Sequence, residues 1–456
     1  MDRKPDFNRL EGTSRDFALE VLYYCHEKGM FAHKALTVAA VGKTGEKASR
    51  SATTEMSFGS IRRLISLDRA ISQASGRAIE AVDPLLADIL RIAVYQLLYM
   101  RKEASYAVVD SAVEQAKRLI GKGASGFANA VLRKVAAAGF ALELPDPGSD
   151  PAAWLSVAES HPLWIVEDWT ERFGMEAATG MCRYDNETPP AFVRVNSMKL
   201  TRDELIDRLA EKGSRPAPGG ISPYAVKLPS WDSVASGDAF EEGLYSVQDQ
   251  SSMLVAEMLA PKPGEFVIDM CAAPGGKTCH AAELAQDGAR VLACDSNAKR
   301  LDLVGQNARR LSLKSVETMT ADASKLHEKF AGKADAVMAD VPCSGLGVLS
   351  RRPDARWRKD PSQAEEFAKI SSSILDSAAQ CLRPGGRLVF STCTVSEREN
   401  EKQLEDFLSR HHDFFPVPLK RLETLGISGE GSGYAQLLQG IHESDGFFIA
   451  LLHKSN

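Results

Sequence analysis

The apolar run Phe266-Val-Ile-Asp269 leads directly into Met270-Cys-Ala-Ala-Pro-Gly-Gly-Lys-Thr278 and then into a helical stretch at 281–285. A strand that ends at a carboxylate, turns through paired glycines and enters a helix opens a strand–helix–strand unit. The same rhythm continues with a strand at 290–295, a helix at 298–311, a strand at 334–339 ending at Asp340, a helix at 371–381 and a strand at 387–390. This alternation predicts an α/β, Rossmann-like doubly wound sheet, mostly parallel, from about residue 243 to 456. Ligands of such sheets bind beyond the carboxyl ends of the strands, where strand order reverses. The polar residues that end these strands are therefore the first candidates for function.

The glycine turn has two look-alikes, and it matches neither. A phosphate-binding Gly-x-x-x-x-Gly-Lys-Thr loop needs glycine where Cys271 stands, and there is no Gly-x-Gly-x-x-Gly for a dinucleotide. What remains is a short loop, Cys271, Ala272, Ala273, Pro274, Gly275, Gly276 and Lys277, whose backbone can approach a ligand closely. Asp295 ends the second strand, where an acid accepts the hydroxyls of a ribose. Asp322 falls where a third strand would end, facing an adenine edge, and Asp340 ends the next strand. Loop plus acids, with no cradle for phosphate, predict S-adenosylmethionine as cofactor.

Two cysteines stand just beyond strand ends. Cys343 lies in Asp340-Val-Pro-Cys-Ser-Gly345 and Cys393 in Phe390-Ser-Thr-Cys-Thr394. A thiol pair beside a nucleotide-type cofactor loop suggests covalent chemistry on an otherwise inert carbon, and such a thiol must be held near its thiolate form. Two thiols and one acid suit that chemistry, but spacing alone does not say which thiol attacks. Cys25, Cys182, Cys279, Cys294 and Cys381 are read as small buried hydrophobes.

The first 140 residues have a different texture. Asp83-Pro84 is a helix start, and Leu86, Leu90, Ala93 and Leu97 recur on one helical face. Val109, Val113, Ala116 and Ile120 repeat that spacing, as do Phe127, Val131 and Val135, with earlier helices at 15–24 and 58–71. This third carries 21 Lys+Arg against 15 Asp+Glu, whereas the remainder carries 34 against 46. The basic excess is compatible with nucleic acid. Pro145, Pro147, Gly148 and Pro151 mark 141–160 as a linker. Residues 161–242 read as a small α+β module, with a strand at 192–196 and a helix at 201–212 capped by Thr201.

At 456 residues the chain calls for several domains, and its apolar and charged contents (44% and 25%) are those of a globular protein. Met1-Asp-Arg-Lys-Pro-Asp6 has charges with no apolar core behind them and is not read as a secretory signal. Eight cysteines without a Cys-x-x-Cys pair argue against a disulfide framework or a metal centre, and a reducing cytoplasm is expected. Neither a membrane nor a metal is expected, and a monomer is.

The motifs together resemble the bacterial Sun-type (RsmB-like) ribosomal RNA cytosine-C5 methyltransferases of the wider Nop/Sun family. The resemblance is carried by the Cys271–Lys277 loop, Asp340-Val-Pro-Cys-Ser-Gly345, Arg352-Pro-Asp-Ala-Arg-Trp357 and Ser391-Thr-Cys-Thr394. Ser160-His-Pro-Leu-Trp164 and Arg194-Val-Asn196 are similar to the family's amino-terminal methyltransferase segment. Leu90-Arg-Ile-Ala-Val-Tyr-Gln-Leu-Leu98 and Gly126-Phe-Ala-Asn-Ala-Val-Leu-Arg133 resemble the RNA-binding NusB fold. The resemblance implies a NusB-like domain at 1–140, the linker and module above, and a methyltransferase domain at 243–456 acting on ribosomal RNA, with the small-subunit RNA favoured. It implies Cys393 as nucleophile, Cys343 as the thiol that aids product release, Asp340 as the cytosine contact and Lys277 as an organiser of the acids. In DNA cytosine methyltransferases the Pro-Cys thiol attacks, which would reverse the two.

Arg351, Arg352 and Arg356 are candidates to grip RNA phosphates and Trp357 to stack on an unpaired base, against the plainer reading of Trp357 packed inward. His411-His412 reads as a solvated helix end. Thr278-Cys279-His280 and Leu346 depart from the family pattern and bear on substrate fit rather than on catalysis. The rival readings are a transfer RNA cytosine methyltransferase, a non-catalytic NusB-like RNA-binding or antitermination protein and, less favoured, a nucleoside triphosphatase.

Overall fold

A computed structural model of the chain describes residues 5–40, 49–100, 103–138, 140–231, 237–429 and 431–456. Residues 1–4, at the charged start of the chain, lie outside the described residues. The chain divides into two units, residues 1–188 with 349–358, and residues 189–348 with 359–456.

The first unit is helical. Asp83 caps Pro84–Tyr95 by accepting from the Leu86 N–H at 3.0 Å, and Leu86, Leu90 and Ala93 are buried along its face. Ser105–Leu119 and Lys122–Val135 bury Val109, Ala116, Val131 and Val135 against the same core, while Ile120, past the end of its helix, is exposed. The helix expected at 58–71 is instead two, Arg50–Arg62 and Leu64–Ser75, broken where Arg63 leaves helical geometry at φ −99° and ψ 20°. The expected linker carries a helix, Pro151–Ala158, capped by Asp150. The residues that suggest a linker, a proline after an aspartate, also form a helix start. Leu163–Asn186 follows, kinked at Gly174, and stays with this unit.

The second unit holds two sheets. The smaller is antiparallel in the order β2–β3–β1–β4, with β1 Ala191–Val195, β2 Ala217–Pro218, β3 Ala225–Leu228 and β4 Tyr245–Val247. Thr201 caps its helix Arg202–Glu211 in a reciprocal box with Glu204. The larger contains β5 Phe266–Asp269, β6 Arg290–Asp295, β7 Val316–Thr320, β8 Ala334–Asp340, β9 Leu382–Thr392, β10 Phe414–Pro416, β11 Tyr434–Leu437 and β12 Phe447–Lys454. Its order is β10–β12–β9–β8–β5–β6–β7, with β11 paired to β12. The run from β9 to β7 is parallel, and β12 lies antiparallel on β9.

Alternate residues of each central strand enter opposite cores. Val267, Val291, Met338 and Val389 face helices Gln250–Leu259 and Gly276–Leu284, while Ile268, Leu292, Val337 and Phe390 face Gln363–Cys381 and Glu401–Arg410. Burial on both faces explains why these strands read as continuous apolar runs. Strand order reverses between β5 and β8, which places the ends of β5, β6, β8 and β9 around one crevice. Among the described residues no helix is long and apolar enough to cross a membrane, and no cluster of three His, Cys, Asp or Glu is placed to hold a metal.

Candidate active site

Asp340 and Ser391 are register partners across β8 and β9. Just beyond them the chain turns twice, and the two turns bring Cys343 Sγ to 3.3 Å from Cys393 Sγ. Asp340 Oδ1 accepts from the Ser391 hydroxyl at 2.9 Å and Oδ2 from Lys277 Nζ at 2.7 Å. Lys277 comes from the first turn of the helix after β5, so the ion pair joins the glycine loop to the thiol strands. Burial opposes the charge of Lys277, but the negative charges of Asp340 and Cys393 hold its ammonium above the ordinary range.

The two thiols have different surroundings. The Cys343 proton is held well above the usual thiol range, first by its bond to the Cys393 sulfur, then by burial, then by the charges of Glu399 and Asp340. Lys277, in turn, is held charged in part by the Cys393 sulfur. The remaining cysteines are buried apart from Cys271, which is half-buried. Burial pushes the Cys279 thiol up to about 12 and that of Cys381 to about 11, as befits inert side chains.

The loop after β5 is braced from several sides. Ala272 N–H donates to Cys294 O at 2.8 Å, Ala273 N–H to Asp295 Oδ2 at 3.3 Å and Asn297 N–H to Asp295 Oδ1 at 2.9 Å. Arg300 and Asn307 hold the carbonyls of Ala273 and Pro274. Gly275 sits at φ +105°, and a Cβ there would lie 3.0 Å from the Val304 Cα, so the turn requires glycine twice over. Asp322 is exposed just past β7, with its carboxylate turned back to Ser324.

The fit to S-adenosylmethionine is electrostatic. Burial first, and then the charges of Asp269, Asp340 and Asp295, raise the Cys271 thiol, so three carboxylates act on the start of the loop. Their field suits a sulfonium cation and opposes a polyphosphate.

Three further groups carry the geometry: Arg194, read from the sequence only as part of a family-like segment, and Glu399 and Asn400, which were not singled out. Arg194 on β1 is fully buried, pairs with Glu283 at 2.8 Å and donates to Gly276 O at 2.7 Å, holding the loop from the smaller sheet. Glu399 and Asn400 bond to the residues beside both thiols. Their positions bear no fixed spacing to Ser344 or Thr392, so only the fold reveals them.

The segment after Cys343 corrects one expectation. Arg356 is fully buried in the helical unit, where it donates to the carbonyls of Ser160 at 3.2 Å and Asp185 at 2.9 Å and to Asn186 Oδ1 at 3.0 Å. Trp357 packs on the helical core and donates to Ile61 O at 2.7 Å. Arg356 is thus withheld from solvent, and Trp357 is half-buried with its indole N–H already bonded, because both help to complete a core made by distant residues. Arg352 is exposed, and Arg351 accepts at its carbonyl from His33 at 2.8 Å. His411 is also not a solvated end: it lies 2.8 Å from Asp376 and stacks on Phe407 with centroids 4.4 Å apart.

Comparison with known proteins matches three successive families along the chain. The NusB family matches residues 12–137, the RsmF/B-like ferredoxin-like domain residues 161–235 and the 16S rRNA methyltransferase RsmB/F family residues 256–453. A Bacillus subtilis protein named probable ribosomal RNA small subunit methyltransferase B is 36% identical over 445 residues, covering 96% of this chain and 98% of its own length. A Synechocystis protein of the same name is 32% identical over 448 residues, covering 97% and 100%. The crystal structure of PH0851 matches with a TM-score of 0.79 at 26% identity, covering 98% of this chain and 100% of that one. Likeness of this extent, over a helical domain, a module and a catalytic sheet in the same order, places the chain in the RsmB/F family of 16S rRNA methyltransferases.

Proposed function

We propose that the protein methylates C5 of a cytosine in small-subunit ribosomal RNA, with S-adenosylmethionine as donor and Cys393 bonded transiently to C6 of the base. Ribosomal RNA methylation follows from the family. The cytosine chemistry is supported by one observation above others: two thiols 3.3 Å apart at the ends of neighbouring strands, beside an acid held by a lysine.

The bound cofactor supplies an electrophilic methyl group. The protein supplies the rest. Cys393, as thiolate, adds to C6, and the ring becomes nucleophilic at C5. As the thiolate adds, N3 takes a proton from solvent, and the Asp340 carboxylate, fixed by Lys277, accepts from that N3–H and stabilises the altered ring. After methylation the C5 proton passes to a solvent water, the electrons of that C–H bond re-form the C5–C6 double bond, and Cys393 leaves C6 as a thiolate. Cys343, whose sulfur lies 3.3 Å from that of Cys393, stabilises the departing thiolate by donating its S–H and so aids this release. The target base must be unpaired or flipped to reach these groups.

The test is labelled cofactor with deproteinised ribosomal RNA and with immature small subunits. Formation of 5-methylcytosine is expected, and its absence with both substrates rejects the reading. Cys393→Ala should abolish transfer. Cys343→Ala should leave a protein–RNA adduct that survives denaturing electrophoresis, and the reverse pattern would exchange the two roles.

A further inference from the structure

Ser344 follows Cys343 and Thr394 follows Cys393, and a buried carboxylate grips Ser344, whose hydroxyl in turn meets that of Thr394. Glu399 Oε2 accepts from the Ser344 N–H at 2.7 Å and Oε1 from the Ser344 hydroxyl at 2.6 Å. That hydroxyl oxygen lies 2.7 Å from the Thr394 hydroxyl, which donates to it. Asn400, fully buried, accepts from the Thr392 hydroxyl at 2.6 Å and donates to Thr394 O at 3.0 Å, so it spans Cys393 from both sides. The cofactor loop is held by a separate set, Arg194, Arg300 and Asn307. Burial raises the carboxyl of Glu399, and the Ser344 bonds offset part of that cost.

The sulfurs sit on turns, not within strands, so the sheet alone does not set the distance between them. We infer that Glu399, with Asn400, is a positioning residue that ties the Cys343 turn to the Cys393 turn, so that both sulfurs meet one base in a fixed register. The inference rests on the reading that both thiols act on the same cytosine. It concerns geometry rather than charge, which gives it a sharp test. Glu399→Gln keeps an acceptor for the Ser344 N–H and gains a donor for the Ser344 oxygen, so the brace survives without its charge. Glu399→Ala removes it.

Two readouts are made on the full chain. In the first, Glu399→Ala should lower kcat for 5-methylcytosine formation by ~100-fold, the cost of a small misplacement of reacting groups. KM for S-adenosylmethionine should stay within about twofold, and Glu399→Gln should recover kcat to within about tenfold of wild type. The second readout needs no RNA. Diamide, which takes two hydrogens from a thiol pair, should close a Cys343–Cys393 disulfide rapidly in wild type and Glu399→Gln and at least about tenfold more slowly in Glu399→Ala, as expected when proximity is lost. The product is followed by peptide mass spectrometry.

Should Glu399→Ala fail to fold by circular dichroism, Ser344→Ala replaces it; that variant loses the hydroxyl link, keeps the N–H bond and should show smaller losses in both assays. Wild-type kcat and cross-linking in the alanine variant overturn the inference. So does a glutamine variant as impaired as alanine, or a loss confined to KM for the cofactor. If wild type makes no 5-methylcytosine, the proposed function fails, and the cross-linking rates still decide the brace.

Discussion

Asp269 ends the central strand with its carboxylate buried and accepting from the Thr278 hydroxyl at 2.6 Å. Burial raises it from 3.8 to about 6, against the downward pull of Thr278, Lys277 and the Cys271 N–H. The folded chain therefore holds a proton between about pH 4 and 6 that the unfolded chain has released. The stability this group contributes falls as pH rises through that window, by an amount on the order of 3 kcal/mol, and is constant above it. Thermal midpoints at pH 4, 5, 6 and 7 should show the margin of wild type over Asp269→Asn shrinking as pH rises, and parallel curves would contradict the assignment. At this scale the sequence was legible where reactive residue types stand at or just beyond strand ends, as Asp340, Cys343 and Cys393 do, and where the glycine loop enters its helix at Lys277. It was silent on Glu399, because nothing in a row of residues marks which carboxylate folds back onto a serine 55 positions earlier. It misdirected for Arg356 and Trp357, since a basic, aromatic run reads the same whether it faces solvent or fills a core.

Among elements, the turn from β5 into helix Gly276–Leu284 bears the most constraint. Its alternation with later strands was legible because both strand faces are buried and the helices are periodic. The start of helix Gln363–Cys381 was not, because its first residues, including Gln363, Glu365 and Glu366, are polar and show no apolar period. The direction of β12 was not either, since Phe447–Lys454 is equally apolar run parallel or antiparallel to β9. The turn itself gives a direct test. Gly275→Ala places a Cβ against the Val304 backbone at a φ of +105°. It should cost about 1–3 kcal/mol of stability, as strained backbone sites do, and weaken S-adenosylmethionine binding. Calorimetric titration and thermal melting together check this, and wild-type values in both would mean that the loop tolerates what its geometry forbids.

In the whole molecule, the ten residues 349–358 leave the catalytic unit and join the helical one. Besides Arg356 and Trp357, Asp354 accepts from Ala32 N–H at 3.2 Å, Arg358 donates to Gly29 O at 2.7 Å and to Met30 O, and Arg62 donates to Ser350 O at 3.0 Å. Arg356→Ala should destabilise the helical unit by about 3–5 kcal/mol, because it strips a buried cation from carbonyls and from the buried Asp185 that it offsets. Hydrogen exchange should speed up in Pro151–Ala158 and Leu163–Asn186. Unchanged protection there would show that the segment is only laid on the surface. Such pairing of 356 with 160 and 185 leaves no trace in local pattern, which is why composition and periodicity divided the chain into consecutive pieces. Its consequence is one of time. A ribosome adding about 5–20 residues per second needs roughly ten to thirty seconds to pass from residue 189 to 348. The helical unit, although made first, waits through that interval with the seat of Arg356 open, and it is completed only after Cys343 has already been synthesised.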